Sequence, residues 1–228
     1  MTFHNEAAEV MTTARIVAIT QPRVEGIKTA EEFVVYAARA SNPANQKNVK
    51  TGEKLLKYCY NKKHFSIFEM VNIVMEIETT RDIGRQILRH SFRFQEFSQR
   101  YADPVNHLGF QKRQARLQDD KNRQNSLETD DEQLEKWWSV AQARLIDAAE
   151  SMYKNALAKG IAKEQARAVL PEGLTMTRMY MNGNLRQWIH YLAVRLDPST
   201  QKEHRKLAEM MRQELVQEFP SLRLVMGM

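Results

Sequence analysis

Between residues 71 and 78, apolar Val71, Ile73, Met75 and Ile77 alternate with polar Asn72, Glu76 and Glu78. A period of two is that of a half-buried β-strand, so one face of this segment must lie against a core. Immediately afterwards Thr80 is placed to cap a helix running through about Phe92. Other segments read as helices: Thr29–Ala40, Lys50–Lys62, Thr129–Lys159 closed by Gly160, and Lys163–Leu170 stopped by Pro171. Two more helices are read at Asn184–Arg195 and Thr200–Phe219, the last opened by a Thr200/Glu203 capping box and ended by Pro220. Arg15–Ile19 and Thr175–Asn182 read as further strands. No strict strand–helix alternation is present, so a doubly wound sheet is excluded and the class is α+β, helix-rich.

The chain has 228 residues, enough for one sizeable core, and its 8 glycines and 6 prolines leave little room for linkers. Regular patterning begins at Arg15, so residues 1–14 read as an N-terminal extension and 15–228 as one domain. The single cysteine, Cys59, forbids an internal disulfide framework and suits a reducing, cytoplasmic setting. No apolar run reaches the length of a membrane span, so no membrane partner is expected. A net charge of +6 points to anionic partners. The densest basic stretch, Lys112–Arg123, is interrupted by Asp119 and Asp120, whereas nucleic-acid binders more often show an unbroken stripe. Small anions are favoured over nucleic acid.

Chemistry concentrates in Gln86–Tyr101, QILRHSFRFQEFSQRY. Arg89, His90, Arg93 and Arg100 surround Ser91 and Ser98, with Gln86, Gln95 and Glu96 interleaved among apolar Ile87, Leu88, Phe92, Phe94 and Phe97. Arginine forks bind phosphate and carboxylate oxygens bidentately, while amides and hydroxyls can fix a planar ring by its edges. This mixture suits a half-buried pocket for a flat anion. A basic helix end, favoured by the macrodipole, would explain part of it equally.

Further groups carry the same two readings. In HFSIFEM, His64, Ser66 and Glu69 could meet a ligand at the strand entrance, or cap a turn and pair with a lysine. Arg167 sits among apolar neighbours, where it either meets an anion or lies along the surface. In NLRQWIHYLAVRLD, Arg186 and His190 share a helix face and Arg195 comes near the helix end. The sequence has no GxGxxG, Walker loop, HExxH or CxxC, so metal ligation is not expected. Hard chemistry would then fall to an organic cofactor, or to arginine and hydroxyl groups alone.

Arg89-His90 followed by Ser98-Gln99-Arg100-Tyr101 resembles the signature of the flavin-dependent thymidylate synthases, RHR followed by seven residues and Ser. HFSIFEM resembles that family's H-x-[ST]-x-x-E box. QARAVLP resembles its second arginine element, and NLRQWIHYLAVRLDPSTQKE its C-terminal element. The four occur in the family's order over about Arg15 to Phe219. The chain departs from the signature at Ser91, where the family has a second arginine, and the spacer to Ser98 is one residue short. Either one residue is missing or Arg93 supplies the guanidinium.

The resemblance implies a helix-rich protomer with a mainly antiparallel sheet, and methylation of dUMP to dTMP. Methylenetetrahydrofolate would give the carbon and NADPH the hydride, through FAD and without a cysteine nucleophile. It implies dUMP contacts at Gln86, Ile87, Leu88, Arg89, Glu96, Phe97, Ser98, Gln99, Arg100, Arg167 and Arg195, with Arg195 as the catalytic residue. FAD contacts are implied at Ser41, His64, Ser66, Glu69, Arg89, His90, Ser91, Glu96, Asn184, Arg186 and His190. A homotetramer with active sites at subunit junctions is implied as well. Two rivals stay open: a nucleic-acid-binding protein, and a homologue that binds FAD or nucleotide without turnover.

Overall fold

A computed structural model describes residues 12–225. The chain runs β1 (Thr13–Ile19), α1 (Ala30–Ala38), α2 (Gly52–Asn61), β2 (Asn72–Thr80), α3 (Arg81–Ile87) and β3 (Arg93–Glu96). It continues through α4 (Pro104–His107), β4 (Leu117–Gln118), β5 (Ser126–Leu127), α5 (Glu132–Ala158) and α6 (Lys163–Ala166). It ends with β6 (Met176–Asn184), α7 (Leu185–Arg195), α8 (Lys202–Glu218) and α9 (Leu222–Val225). Four strands form one sheet in the order β1-β2-β6-β3. Leu185 N donates to Val71 O and Arg81 N to Thr175 O, so β6 begins where β2 ends. That is the antiparallel arrangement of the α+β class.

The alternation at 71–77 does what its period demands: Val71, Ile73, Met75 and Ile77 are each 0% exposed. Local caps explain several helix ends. Thr29 and Glu32 form a capping box on α1, and Asp131 accepts from Gln133 N and Leu134 N at the start of α5. Gly160, at φ +82°, lets Gly160 N and Ile161 N turn back onto Leu157 O and Ala156 O.

Four expectations need correction. The helix after Thr80, read through about Phe92, ends at Ile87, and Arg93–Glu96 beyond it is an edge strand. Sheet pairing, with Phe97 N bonded to Arg178 O, outweighs the local helical pattern. Thr80 does not cap with its side chain, because its hydroxyl donates to Asp82 at 2.6 Å and accepts from Arg113. The Thr200/Glu203 box does not form, and α8 starts at Lys202. Ser199 bonds to Asp197 through both its N–H and its hydroxyl, which draws the chain into a turn first. β1 also takes in Thr13 and Ala14, assigned by sequence to the extension; residues 1–11 lie outside the described residues.

The chain divides into two compact units. The first holds Ile77–Arg89 and Gln95–Met179; the second holds Ala14–Glu76, His90–Phe94 and Tyr180 onward. In the first, α5 packs on α6 and on the 3-10 turn Arg167–Val169, burying Ala149 and Tyr153. Its basic stretch holds β4 and the turn that leads into β5, built on Asp119, which accepts from Lys121 N, Asn122 N and the Asn125 amide. In the second, α7 packs on the 3-10 turn Phe65–Glu69 and on α8. Trp188, Tyr191, Leu192, Leu207 and Met211 make its centre.

Candidate active site

α7 organises the second unit's polar groups. Asn184 caps it, accepting from Gln187 N at 3.0 Å while the Gln187 side chain accepts from Asn184 N. That commits the Asn184 carbonyl; its NH2 makes no other bond among the described residues. Two residues after Asn184, Arg186 pairs with Glu69 of the Phe65–Glu69 turn. The Arg186 guanidinium lies 5.7 Å from the centre of the Phe65 ring and its Nε is 3.5 Å from His190 Nε2. Phe65 and His190 meet edge-on at 4.9 Å. The sequence put Arg186 and His190 on one helix face, as they are, but gave Glu69 a lysine partner where the structure has Arg186. His64 and Ser66 are exposed beside this turn, His64 edge-on to Tyr58, and Ser41 is exposed.

At the far end of α7, Arg195 Nε donates to His90 Nε2 at 2.8 Å. His90 must therefore carry its proton on Nδ1 and be neutral. Among the described residues Arg195 makes no ion pair, and its two terminal nitrogens make no hydrogen bond. The His90 ring stands on Tyr191 at 4.8 Å and 78°. The Tyr191 hydroxyl is 2.8 Å from His204 Nε2. Burial, with Arg195 and His90 nearby, pushes the His204 pKa down to about 3. Burial likewise raises the Tyr191 phenol.

Ser91 and Phe92 form the turn that follows His90. Gln187 donates to Ser91 O, and Phe92 is wedged against Trp188 at 4.8 Å. A Cβ on Gly183 would lie 2.4 Å from the Phe92 ring, so only glycine admits that wedge. Phe92 is buried, Phe94 half-buried and Arg93 exposed, as alternation along an extended segment requires. Tyr191, His204, Gly183 and Gln187 escaped the sequence reading. Only Gly183, a glycine inside a strand, carried a local signal.

The first unit holds its candidate residues differently. Glu96 accepts from Thr177 at 2.9 Å and from Arg81 at 3.3 Å, and Arg85 is 3.6 Å away. Arg85 also meets Glu172 at 3.1 Å. Burial lowers the Arg81 pKa, against the opposing pull of Glu96. Arg100 pairs with Glu164, and Arg167 donates to the Glu164 backbone oxygen. Arg167 lies at the end of α6, half-buried.

Ser98 is half-buried in a turn whose carbonyl accepts from Tyr101 N and Ala102 N. Gln99 is buried with its Nε2 unpaired. Arg89 is exposed, Gln86, Leu88 and Phe97 are half-buried, and the Ile87 side chain is wholly buried. Arg81, Arg85 and Thr177 were missed because the residues that bracket Glu96 are distant in sequence.

The antiparallel α+β fold sets the class of protein, and comparison with known proteins identifies the family. The family of thymidylate synthase complementing proteins matches residues 24–221, and the chain belongs to that family. It is 49% identical over 215 residues to a probable flavin-dependent thymidylate synthase of Paramecium bursaria Chlorella virus 1, covering 92% of this chain and 96% of that protein. It is 47% identical over 212 residues to the flavin-dependent thymidylate synthase of Synechocystis, covering 91% and 96%. In fold it matches the UMP/dUMP methylase PolB from Streptomyces cacaoi bound with 5-Br UMP, with a TM-score of 0.79 at 23% identity over 95% and 94% of the two chains.

Proposed function

We propose that this protein is a flavin-dependent thymidylate synthase that methylates dUMP to dTMP, with methylenetetrahydrofolate as carbon donor and NADPH as reductant through FAD. The observation that carries the reading is Arg195, whose Nε is held by a neutral imidazole while its terminal nitrogens are left for a ligand. A guanidinium presented to the imide edge of uracil favours the ionised, electron-rich ring. The thiol route has no support here. Cys59 is buried in α2, and burial raises its pKa, so it stays a protonated thiol.

The donor set fits a flavin nucleotide. Arg186, His190, His64, Ser66 and the Asn184 amide offer donors beside an aromatic ring, which suits phosphates and a planar heterocycle. Bound there, the flavin would carry the hydride, chemistry that no side chain of this protein can perform. Arg89, Arg100 and Arg167 would hold the nucleotide phosphate, and Gln86, Glu96, Ser98 and Gln99 would orient the nucleotide; Ile87, Leu88 and Phe97 complete its set. Ser41, Glu69, His90 and Ser91 complete the flavin set. Ile87 would contribute through its backbone, since its side chain is buried.

A homotetramer with active sites at subunit junctions belongs to the same proposal. Support comes from α5, where Trp137, Val140, Leu145 and Met152 are all exposed large apolar residues. Among the described residues no helix is long and apolar enough to cross a membrane, and we assign the enzyme to the cytoplasm. The test is a visible spectrum after reconstitution with FAD, followed by dUMP-dependent NADPH oxidation with methylenetetrahydrofolate. No flavin absorbance would favour a nucleic-acid-binding protein, and flavin without turnover a non-catalytic homologue.

A further inference from the structure

We propose that Tyr191 and His204 are positioning residues for Arg195, acting through His90. The inference rests on the proposed role of Arg195 and extends it to two buried residues.

His204 is 0% and Tyr191 2% exposed, so their polar atoms were removed from water to meet each other at 2.8 Å. Such a pair contributes little net stability compared with an apolar pair of the same shape. A buried hydrogen bond does, however, hold one geometry and reject others. Here the geometry it holds is the floor beneath His90. The Tyr191 ring is presented edge-to-face to the imidazole at 4.8 Å and 78°, and its far end is anchored on α8 through His204. Tyr191 also lies one helical turn before Arg195 on α7, which puts support and supported residue on one face.

The chain of contacts has a chemical consequence. Arg195 Nε–H reaches His90 Nε2 only if His90 is neutral and protonated on Nδ1. Fixing the guanidinium at Nε fixes its plane, so the two terminal N–H groups point in a set direction as a fork. If the imidazole tilts, or its proton moves to Nε2, Arg195 loses its acceptor and swings. His204 adds no charge, because burial, with the Arg195 guanidinium nearby, keeps it neutral at physiological pH. The arrangement thus delivers one positive charge, on Arg195, backed by neutral rings.

The test combines 15N-histidine NMR with steady-state kinetics on the flavin-loaded enzyme. In the wild type, His90 should show a single Nδ1–H tautomer. In Tyr191→Phe, which keeps the ring and removes the hydroxyl, His90 should become a mixture of tautomers. We expect kcat to fall about tenfold, with KM for dUMP changed less than about threefold. His204→Gln, still able to bond the hydroxyl, should retain most of the rate, whereas His204→Leu should match Tyr191→Phe. The double variant Tyr191→Phe/His204→Leu should be no slower than the worse single one, as for residues acting as a unit. If His204→Leu does not fold, Tyr191→Phe and His204→Gln decide alone. An unchanged His90 tautomer with kcat within about twofold of wild type in Tyr191→Phe overturns the proposal, and so do independent, multiplicative losses. A wild type without dUMP-dependent turnover would instead defeat the functional reading, and the tautomer measurement would still stand.

Discussion

The first unit's arginines and Arg195 of the second unit are held by different partners. In the first, Arg81 and Arg85 meet Glu96, Arg100 meets Glu164, Arg113 meets Asp82 and Arg178 meets Glu78. At the C-terminal end of α7 in the second, Arg195 meets a neutral histidine. A guanidinium whose charge is balanced by a carboxylate is part of the fold, and a ligand must compete for it. A guanidinium held by a neutral acceptor keeps its charge for an anion. Arg186 stands between these cases, with Glu69 on one side and His190 and Phe65 on the other. The contrast teaches that the count of arginines in a motif says little, and that the partner of each decides its use.

Removing the exceptional arginine should have the largest effect. Arg195→Ala should lower turnover by two orders of magnitude or more, roughly 3 kcal/mol, while flavin content is unchanged. Near wild-type turnover would place Arg195 among the structural arginines and erase the contrast. Glu96→Gln probes the other side. It leaves Arg81, whose side chain is only 13% exposed, without its counter-charge. A loss of about 2 kcal/mol in denaturant unfolding is expected; no loss would mean that Arg81 is not held by that charge.

Acid should sharpen the comparison in the second unit. His204 has a folded-state pKa of about 3, against an ordinary value of 6.5. Between those values the unfolded chain binds a proton that the folded chain refuses, so stability falls as pH drops through that window. From pH 7.5 to pH 5 this contributes about 2 kcal/mol of lost unfolding free energy. His204→Gln should show a slope shallower by that amount, and identical slopes would mean that His204 titrates normally. The smallest effect belongs to Cys59→Ser, with activity within about twofold and a stability cost of about 1 kcal/mol for a buried hydroxyl. Abolished activity in a folded, flavin-loaded Cys59→Ser protein would bring the thiol back into the mechanism.

Much of this was legible in one dimension because its causes are local. The alternation of Val71 to Ile77 announces β2, Gly160 announces the end of α5, and Arg186 with His190 is a pair one helical turn apart. Glu69 was singled out by its motif, although its partner was read as a lysine and is Arg186. The failures share a cause as well. Thr80 and Thr200 are good capping residues by type, yet Arg113 with Asp82, and Val194 O, take their hydroxyls. The helix read from Thr80 through about Phe92 stops at Ile87, and Arg93–Glu96 beyond it joins the sheet because β6 offers it backbone partners.

By itself the sequence determined the α+β class, the position of the long helices and the four motifs. Those follow from periodicity, capping residues and residue type, each set within a few positions of chain. Only the tertiary structure decided which arginine is paired with a carboxylate and which rests on a neutral ring. His90 and Arg195 are 105 positions apart and Glu96 and Thr177 are 81 apart. Separations of that size carry no local signal, and hydrogen-bond partnership over them exists only once the sheet and helices have packed.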